Sequence, residues 1–170
     1  MKLWRKFGVV LLLLAAVLQV SAQSASEAQE HGFWTDATTG LIWVGKDNGK
    51  DINWHNAMKY CRDLRLGGYS DWRLPTLAEL KGIYDRSAVA PGRAGPGTGR
   101  AFSWHIKGNL FLTGVQWSTS QRVDDRGRPN GFAWYFDFNN GVQNDDDAGR
   151  ITGRFANYGR RALCVRGPEK

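Results

Sequence analysis

The chain has few of the residues on which catalysis and metal binding usually depend. It contains two cysteines and three histidines, and His31, His55 and His105 lack the spacing of metal ligands. The motifs of zinc proteases, serine hydrolases, P-loop proteins and CxxC redox proteins are missing. These absences favour a protein that is not an enzyme and needs no cofactor, although an acid–base pair brought together from distant positions would leave no motif.

The apolar run near the N-terminus is too short to span a bilayer, which takes about 20 residues. It extends from Val9 to Leu18, after three basic residues and before the small residues Ser21 and Ala22. This pattern is typical of a secretory signal peptide, with an uncleaved anchor as the alternative. We expect a signal peptide over 1–22, a flexible segment over 23–32, one domain over 33–167 and a secreted or periplasmic product. No membrane span is expected after cleavage.

The basic excess is modest once the leader is removed. The whole chain carries +7, and loss of the leader leaves 20 basic and 16 acidic residues, an excess of +4. An exported domain with this charge is not expected to bind nucleic acid. The remaining 148 residues or so form one domain of ordinary size, which buries roughly two-thirds of the surface of its unfolded chain.

The two cysteines, Cys61 and Cys164, are most simply a disulfide in an exported chain. The alternative is a pair of free thiols with redox or metal-binding chemistry. Their wide separation and the absence of a CxxC pattern favour the disulfide.

The first part of the domain predicts a β-hairpin and then a helix. Two apolar stretches flank a Thr-Gly turn between Phe33 and Gly45, which is typical of a hairpin. In "NWHNAMKYCRDLRLGG", Asn53 is a good N-cap and the apolar positions have helical spacing. We expect Gly67 or Gly68 to end this helix.

The segment "GGYSDWRLPTLAEL" predicts a structural joint between two helices. Pro75 disfavours helical angles at the preceding residue, and Thr76 with Glu79 forms an S/T-x-x-E capping box. A second helix should therefore run from about residue 77 to 84. We expect Trp72 to be buried and Arg73 to pair with Asp71 or stack on a ring.

The C-terminal half predicts an antiparallel sheet after a long irregular loop over 87–100. "GVQWSTS" and "FAWYFDF" are rich in aromatic and β-branched residues, and "NNG" at 139–141 is a hairpin turn. "RRALCVR" suits a closing strand that brings Cys164 back to the first helix. The order of elements indicates an α+β fold with its termini close together.

Clustered oxygen ligands at Asn144, Asp145, Asp146 and Asp147 suit a hard cation, so calcium is the one metal that the sequence makes possible. The spacing does not match an EF-hand, and a solvated acidic turn is the alternative.

Arginines and tryptophans in the late loops indicate a binding surface. Guanidinium groups pair with sulfate, phosphate and carboxylate, so these loops suit an acidic polysaccharide, although ordinary surface charge is the alternative. We assign Trp43, Trp54, Trp72 and Trp134 to the core and leave Trp104 and Trp117 open. The candidate ligand-binding residues are Trp117, Arg122, Arg126, Arg128, Asn130, Arg150 and Arg154.

Together, "TGLIWVG", "GGYSDWRLPTLAEL", "QWSTS", "WYFDFNNG" and "RRALCVR" resemble the DUF1566 family, named also for the C-terminal domain of the Legionella collagen-like adhesin. The resemblance implies a C-type-lectin-like fold, related to formylglycine-generating enzymes, in which two helices pack on short antiparallel sheets with long loops. It also implies a disulfide from a helix to the final strand, which agrees with Cys61 and Cys164.

The adhesin that gives the family its name is associated with sulfated glycans. By this resemblance we expect an exported, non-catalytic domain that contacts glycan, sulfated polysaccharide or another surface polyanion. A structural or protein-interaction module of an envelope assembly is the second hypothesis, and a hydrolytic enzyme without a visible motif is the third.

Overall fold

The computed structural model describes residues 32–90, 92, 103–151 and 159–167. The expected signal peptide and Arg154 lie outside these residues. The strands are Phe33–Thr35 (β1), Ile42–Val44 (β2), Val115–Val123 (β3), Pro129–Asp137 (β4), Val142–Asp147 (β5), Arg160–Arg161 (β6) and Val165–Arg166 (β7). The helices are Trp54–Asp63 (α1) and Leu77–Gly82 (α2), with a 3-10 helix at Lys107–Asn109. The predicted α+β class is confirmed.

The ends of the domain meet in a small antiparallel sheet of order β1-β2-β7. The predicted first hairpin is confirmed, with Trp34 opposite Trp43. Trp43 also pairs with Val165 on the last strand. Because the two hydrogen-bonded neighbours of β2 are the first and the last of the described strands, this sheet joins the two ends of the domain.

The second sheet is larger and mixed, with the order β5-β4-β3-β6. β3, β4 and β5 form the predicted antiparallel hairpins, but β6 runs parallel to β3, with Val115 opposite Arg160. The expectation of a wholly antiparallel sheet is therefore corrected. "RRALCVR" is also not one strand, because the buried segment 162–164 carries the chain from one sheet to the other.

Helix α1 begins as predicted, with the side chain of Asn53 accepting a hydrogen bond from the amide of Asn56 at 2.9 Å. It ends at Asp63, before the glycines that were expected to stop it. Gly67 and Gly68 instead form a tight turn with positive φ angles. A Cβ on Gly67 would lie 2.4 Å from the ring of Phe33, so this turn needs glycine for its conformation and for space.

The predicted disulfide between Cys61 and Cys164 is confirmed. The two Cα atoms lie 5.4 Å apart, and 103 positions separate the residues in sequence. Cys61 lies on the buried side of α1, and Cys164 lies just before β7. The bond therefore ties the first helix to the segment that closes the β1-β2-β7 sheet.

Helix α2 begins with the predicted capping box. The amide of Glu79 donates to Oγ1 of Thr76 at 3.1 Å, and the amide of Thr76 donates to Oε2 of Glu79 at 2.7 Å. Arg73 donates two hydrogen bonds to the same carboxylate, at 2.8 and 2.6 Å. The predicted pairing of Arg73 with Asp71 is therefore wrong, because Glu79 lies within bidentate reach.

Asp71 pairs instead with Arg166 on β7. Nε of Arg166 donates to Oδ1 of Asp71 at 2.7 Å, and its guanidinium lies 3.7 Å from the centroid of the Tyr69 ring. The hydrogen bond from Arg166 is the main cause that lowers the pKa of Asp71 below its usual value. The segment before α2 is thus held on the first sheet.

Tryptophans form much of the core between the two sheets. Trp43, Trp54 and Trp72 are buried as predicted, and Trp104 and Trp117 are buried completely. Trp134 was also expected in the core, but it is only half-buried. In the described part of the chain, no helix has the length and apolar character needed to cross a membrane.

Candidate functional site

One side of the long hairpins carries aromatic and charged side chains together. In the β4–β5 ladder, Phe132 lies opposite Asp147 and Trp134 lies opposite Asp145. Directly paired residues point to the same side of a sheet. Arg122 on β3 joins them, because its Nη1 donates to Oδ2 of Asp145 at 3.2 Å. We call these five residues the hairpin face.

The hairpin face lies where the sheet extends beyond the core. Phe136, two residues after Trp134 on the same side, is buried and packs edge-on against Tyr84 with centroids 5.6 Å apart. In the other direction exposure rises, and Phe132 is 40% exposed. The same side of β4 therefore passes from packed core to open surface, and large aromatic side chains continue into the exposed part.

The tip between β3 and β4 is an ordered turn built on Asp124. This carboxylate accepts hydrogen bonds from the amides of Arg126 and Arg128, and also from the guanidinium of Arg128 at 2.9 and 3.1 Å. These bonds, with the amide of Arg128 first, lower the pKa of Asp124 below its usual value. The predicted arginine-rich loop is therefore a hairpin tip in which Arg128 is already paired.

The structure does not bring all the predicted ligand-binding residues to one surface. Trp117 is fully buried and donates its indole N–H to the carbonyl of Ile52 at 2.8 Å, so it is not available to a ligand. Asn130 and Arg150 are exposed. Arg126 and Arg150 form no ion pair with any residue that the structure describes.

The four residues proposed as calcium ligands lie in strand β5 rather than in a turn. Successive side chains of a strand point to opposite sides, so Asp145 and Asp147 lie on the hairpin face while Asn144 and Asp146 lie on the reverse. Across the described ranges, no group of three or more His, Cys, Asp or Glu side chains is placed to hold a metal ion. The predicted calcium set is thus divided between two surfaces.

The reverse side of the sheet carries a buried charged cluster that we call the Arg160 cluster: Arg160, Asp146, Tyr135 and Trp117. Nη2 of Arg160 lies 2.8 Å from Oδ2 of Asp146, and both side chains are at least nine-tenths buried. The guanidinium lies 4.4 Å from the centroid of the Tyr135 ring and 5.7 Å from that of Trp117. Residues from all four strands therefore meet across this side.

The charged groups of the Arg160 cluster are buried, so the cluster has a structural role and is not open to a ligand. The ion pair is close, but the two groups are not aligned as a hydrogen bond, and Nε and Nη1 of Arg160 have no hydrogen-bond partner among the described residues. Burial raises the pKa of Tyr135, and the nearby charge of Arg160 opposes this rise. Because the charges are buried against aromatic rings, the cluster fixes β6 and β5 to the sheet.

Sequence reasoning missed both the hairpin face and the Arg160 cluster. In "FAWYFDF" aromatic residues occur on both sides of the strand, at 132, 134 and 136 on one and at 135 on the other. A period of two therefore could not show which side faces the core. The sequence did contain one sign of an exposed aromatic surface: this strand has more aromatic residues than a single buried side can accommodate.

The chain matches the family described as Lcl C-terminal domain over residues 32–165. This match covers nearly all of the predicted domain, and the chain belongs to that family. No curated protein matches the chain.

Proposed function

We propose that this Lcl C-terminal domain is an exported, non-catalytic binding module that contacts glycan or another cell-surface polyanion through its late hairpins. The leader-like N-terminus supports export. The relation of the adhesin that names the family to sulfated glycans supports the class of ligand. We also infer a C-type-lectin-like fold, which is supported by the bridge from a helix to the closing segment and by the pairing of the first hairpin with the last strand.

The observation that carries the proposal is the hairpin face. Its aromatic side chains are presented by a sheet that carries the Arg160 cluster on its reverse side and contacts α2 through β3 and β4. Phe132 is 40% exposed and lies on the same side of β4 as the half-buried Trp134, and neighbouring exposed apolar groups rimmed by polar residues are typical of interaction sites. The neighbouring carboxylates and Arg122 supply hydrogen-bonding groups beside the rings.

Two polar groups away from the hairpin face, Asp47 and Arg161, are engaged by neighbouring side chains. Asp47 is buried and accepts hydrogen bonds from the amide and hydroxyl of Thr113 at 2.6 and 2.8 Å and from Gln116 at 2.9 Å. Arg161 bonds to Asp51 and, at 2.8 Å, to Thr113. These groups hold loops together, which supports a binding role on the hairpin face rather than chemistry in the interior.

A glycan array with neutral and sulfated polysaccharides, probed with the mature protein, tests the proposal. We expect binding that is weakened about tenfold by Phe132→Ala and unchanged by Tyr60→Ala. Tyr60 is a matched control, since it is an aromatic residue of similar exposure, 37% against 40%, on α1. Absence of binding to every glycan, or equal loss in the two variants, would contradict the proposal. The N-terminal peptide of exported protein, read by mass spectrometry, should begin after Ala22.

The second candidate is a structural or protein-interaction module of a cell-envelope assembly. It is favoured by a groove of about 390 Å³ along α1, lined by Asn56, Lys59, Tyr60, Asp63, Leu64 and Arg65. Co-purification of the exported protein from its native host distinguishes the candidates. A partner lost on Tyr60→Ala and retained on Phe132→Ala would support this second function.

A further inference from the structure

We infer that the hairpin face binds an uncharged sugar residue by ring stacking and hydroxyl hydrogen bonds, rather than a polyanion by arginine pairing. This inference rests on the proposed binding function and selects one of the two ligand classes within it. It assigns Phe132 and Trp134 as the stacking residues and Asp145 and Asp147 as acceptors of sugar hydroxyl groups.

The spacing of the two rings suits a sugar chain. Phe132 and Trp134 are two positions apart on one side of β4, which places their Cα atoms about 7 Å apart along the strand. Aromatic side chains combine a large apolar surface with little conformational freedom, and this makes them good contacts for the C–H faces of pyranose rings. Two such rings offer positions for neighbouring units of an oligosaccharide.

The carboxylates beside the rings retain unused acceptor positions. Oδ1 of Asp147 accepts the amide of Gly149 at 2.9 Å, and Oδ2 of Asp145 accepts Arg122. The second oxygen of each has no hydrogen-bond partner within the described ranges. A carboxylate oxygen accepts strongly from a hydroxyl group. Asp147 is exposed and suits a sugar hydroxyl that approaches a stacked ring from its edge, whereas the side chain of Asp145 is 15% exposed and offers a narrower approach.

The charge of the face disfavours a sulfated or phosphorylated ligand. The hairpin face holds two carboxylates and one arginine, and that arginine is already paired with Asp145. At the adjacent tip, Arg128 is paired with Asp124. A polyanion would meet a net negative face, whereas an uncharged sugar meets carboxylate acceptors, the remaining donors of Arg122 and apolar rings. Two late-loop arginines that form no ion pair with a described residue, Arg126 and Arg150, lie outside the face.

Titration with neutral gluco-, galacto- and manno-oligosaccharides and with heparin, each at two or more salt concentrations, tests the inference. We expect a neutral oligosaccharide to bind with little dependence on salt. Phe132→Ala and Trp134→Ala should each weaken this binding by about tenfold, Phe132→Tyr should restore it, and Arg126→Ala with Arg150→Ala should leave it unchanged. Saturation-transfer NMR should place the sugar C–H protons against aromatic protons.

The results separate this inference from the function on which it rests. Heparin binding that falls steeply with salt and is lost in the Arg126 and Arg150 variants, without neutral binding, would overturn the inference and leave the binding function intact. Failure of both ligand classes to bind would overturn both. Unfolding temperatures of all variants show that each one is folded, and Phe132→Tyr keeps the comparison valid if Trp134→Ala is unstable.

Discussion

Breaking the bond between Cys61 and Cys164 should destabilise the domain, because the unfolded chain without the cross-link has more conformational entropy. The bridge closes a loop of 103 positions. For a loop of this size the chain-entropy model gives about 4.7 kcal/mol, while measured losses for native disulfides are about 2–5 kcal/mol. Net stabilities of domains are about 5–15 kcal/mol, so the reduced protein should retain only part of its stability.

Urea unfolding of the oxidised and the reduced protein measures this effect without any substitution. We expect the reduced form to be less stable by about 2–5 kcal/mol, and in thermal unfolding its melting temperature should be lower by roughly 4–20 °C. The m-value should rise on reduction, because an unfolded chain without the cross-link exposes more surface. The double variant with both cysteines changed to alanine should lose somewhat more, since both side chains are fully buried and leave space behind.

Two results would refute this reasoning. A loss below about 1 kcal/mol would show that the loop-closure argument does not apply to this chain. The second is a loss of about 2–5 kcal/mol in the free energy of unfolding with an unchanged m-value and an unchanged folding rate. It would show that reduction speeds unfolding of the native state. The bond would then stabilise native contacts between α1 and the closing segment instead of restricting the unfolded state.

Three further changes test the contacts described above. In urea unfolding, Asp146→Ala should cost about 3–5 kcal/mol because Arg160 is left buried without its partner, and the double change Asp146→Leu with Arg160→Met should cost less than that single change. Burial alone would raise the pKa of Glu79, but hydrogen bonds from Arg73 and Thr76 outweigh it and the pKa is lowered. This carboxylate therefore adds stability that is present above its usual pKa and is lost as pH falls through the lowered value. Glu79→Gln should cost about 1 kcal/mol near neutral pH and less in acid, and an unchanged acid limb of the stability profile would contradict this. The melting temperature should be the same in millimolar calcium as in chelator, because the side chains of residues 144–147 are divided between two sides of a strand. A higher melting temperature in calcium would indicate a bound ion.

The features that the sequence predicted well depend on short-range chemistry. The N-cap at Asn53 and the capping box of Thr76 and Glu79 each involve residues three positions apart, so the local pattern contains all that is needed. The turn before β5 is similar in that it ends on Gly141, whose φ of 76° suits glycine. The pairing of Cys61 with Cys164 spans the domain, but two cysteines allow only one intramolecular bond.

The features that the sequence did not predict depend on contacts between residues that are far apart in the chain or on the relative placement of helices and strands. Arg73 could pair with Asp71, two residues away, or with Glu79, six residues away. The direction of α2 places the carboxylate of Glu79 within reach of the Arg73 guanidinium. The parallel pairing of β6 with β3 brings Arg160 opposite Val115, which is far away in sequence, and no local signal marks it. Trp134 has the composition of a core residue, but its exposure depends on how far the sheet extends beyond α2.

The contacts of the segment 67–80 differ from those of the hairpin face. In the segment 67–80, Asp71 is held by Arg166, and Arg73 is held twice by Glu79. A ligand there would have to break bonds that fix α2, so changes in this segment should act on stability first. On the hairpin face the backbone ladder and the Arg160 cluster hold the strands from behind, and Phe132 points away from these contacts. Its removal should therefore change binding while the unfolding temperature stays nearly constant, and this difference in response is a measurable sign that scaffold and site are distinct.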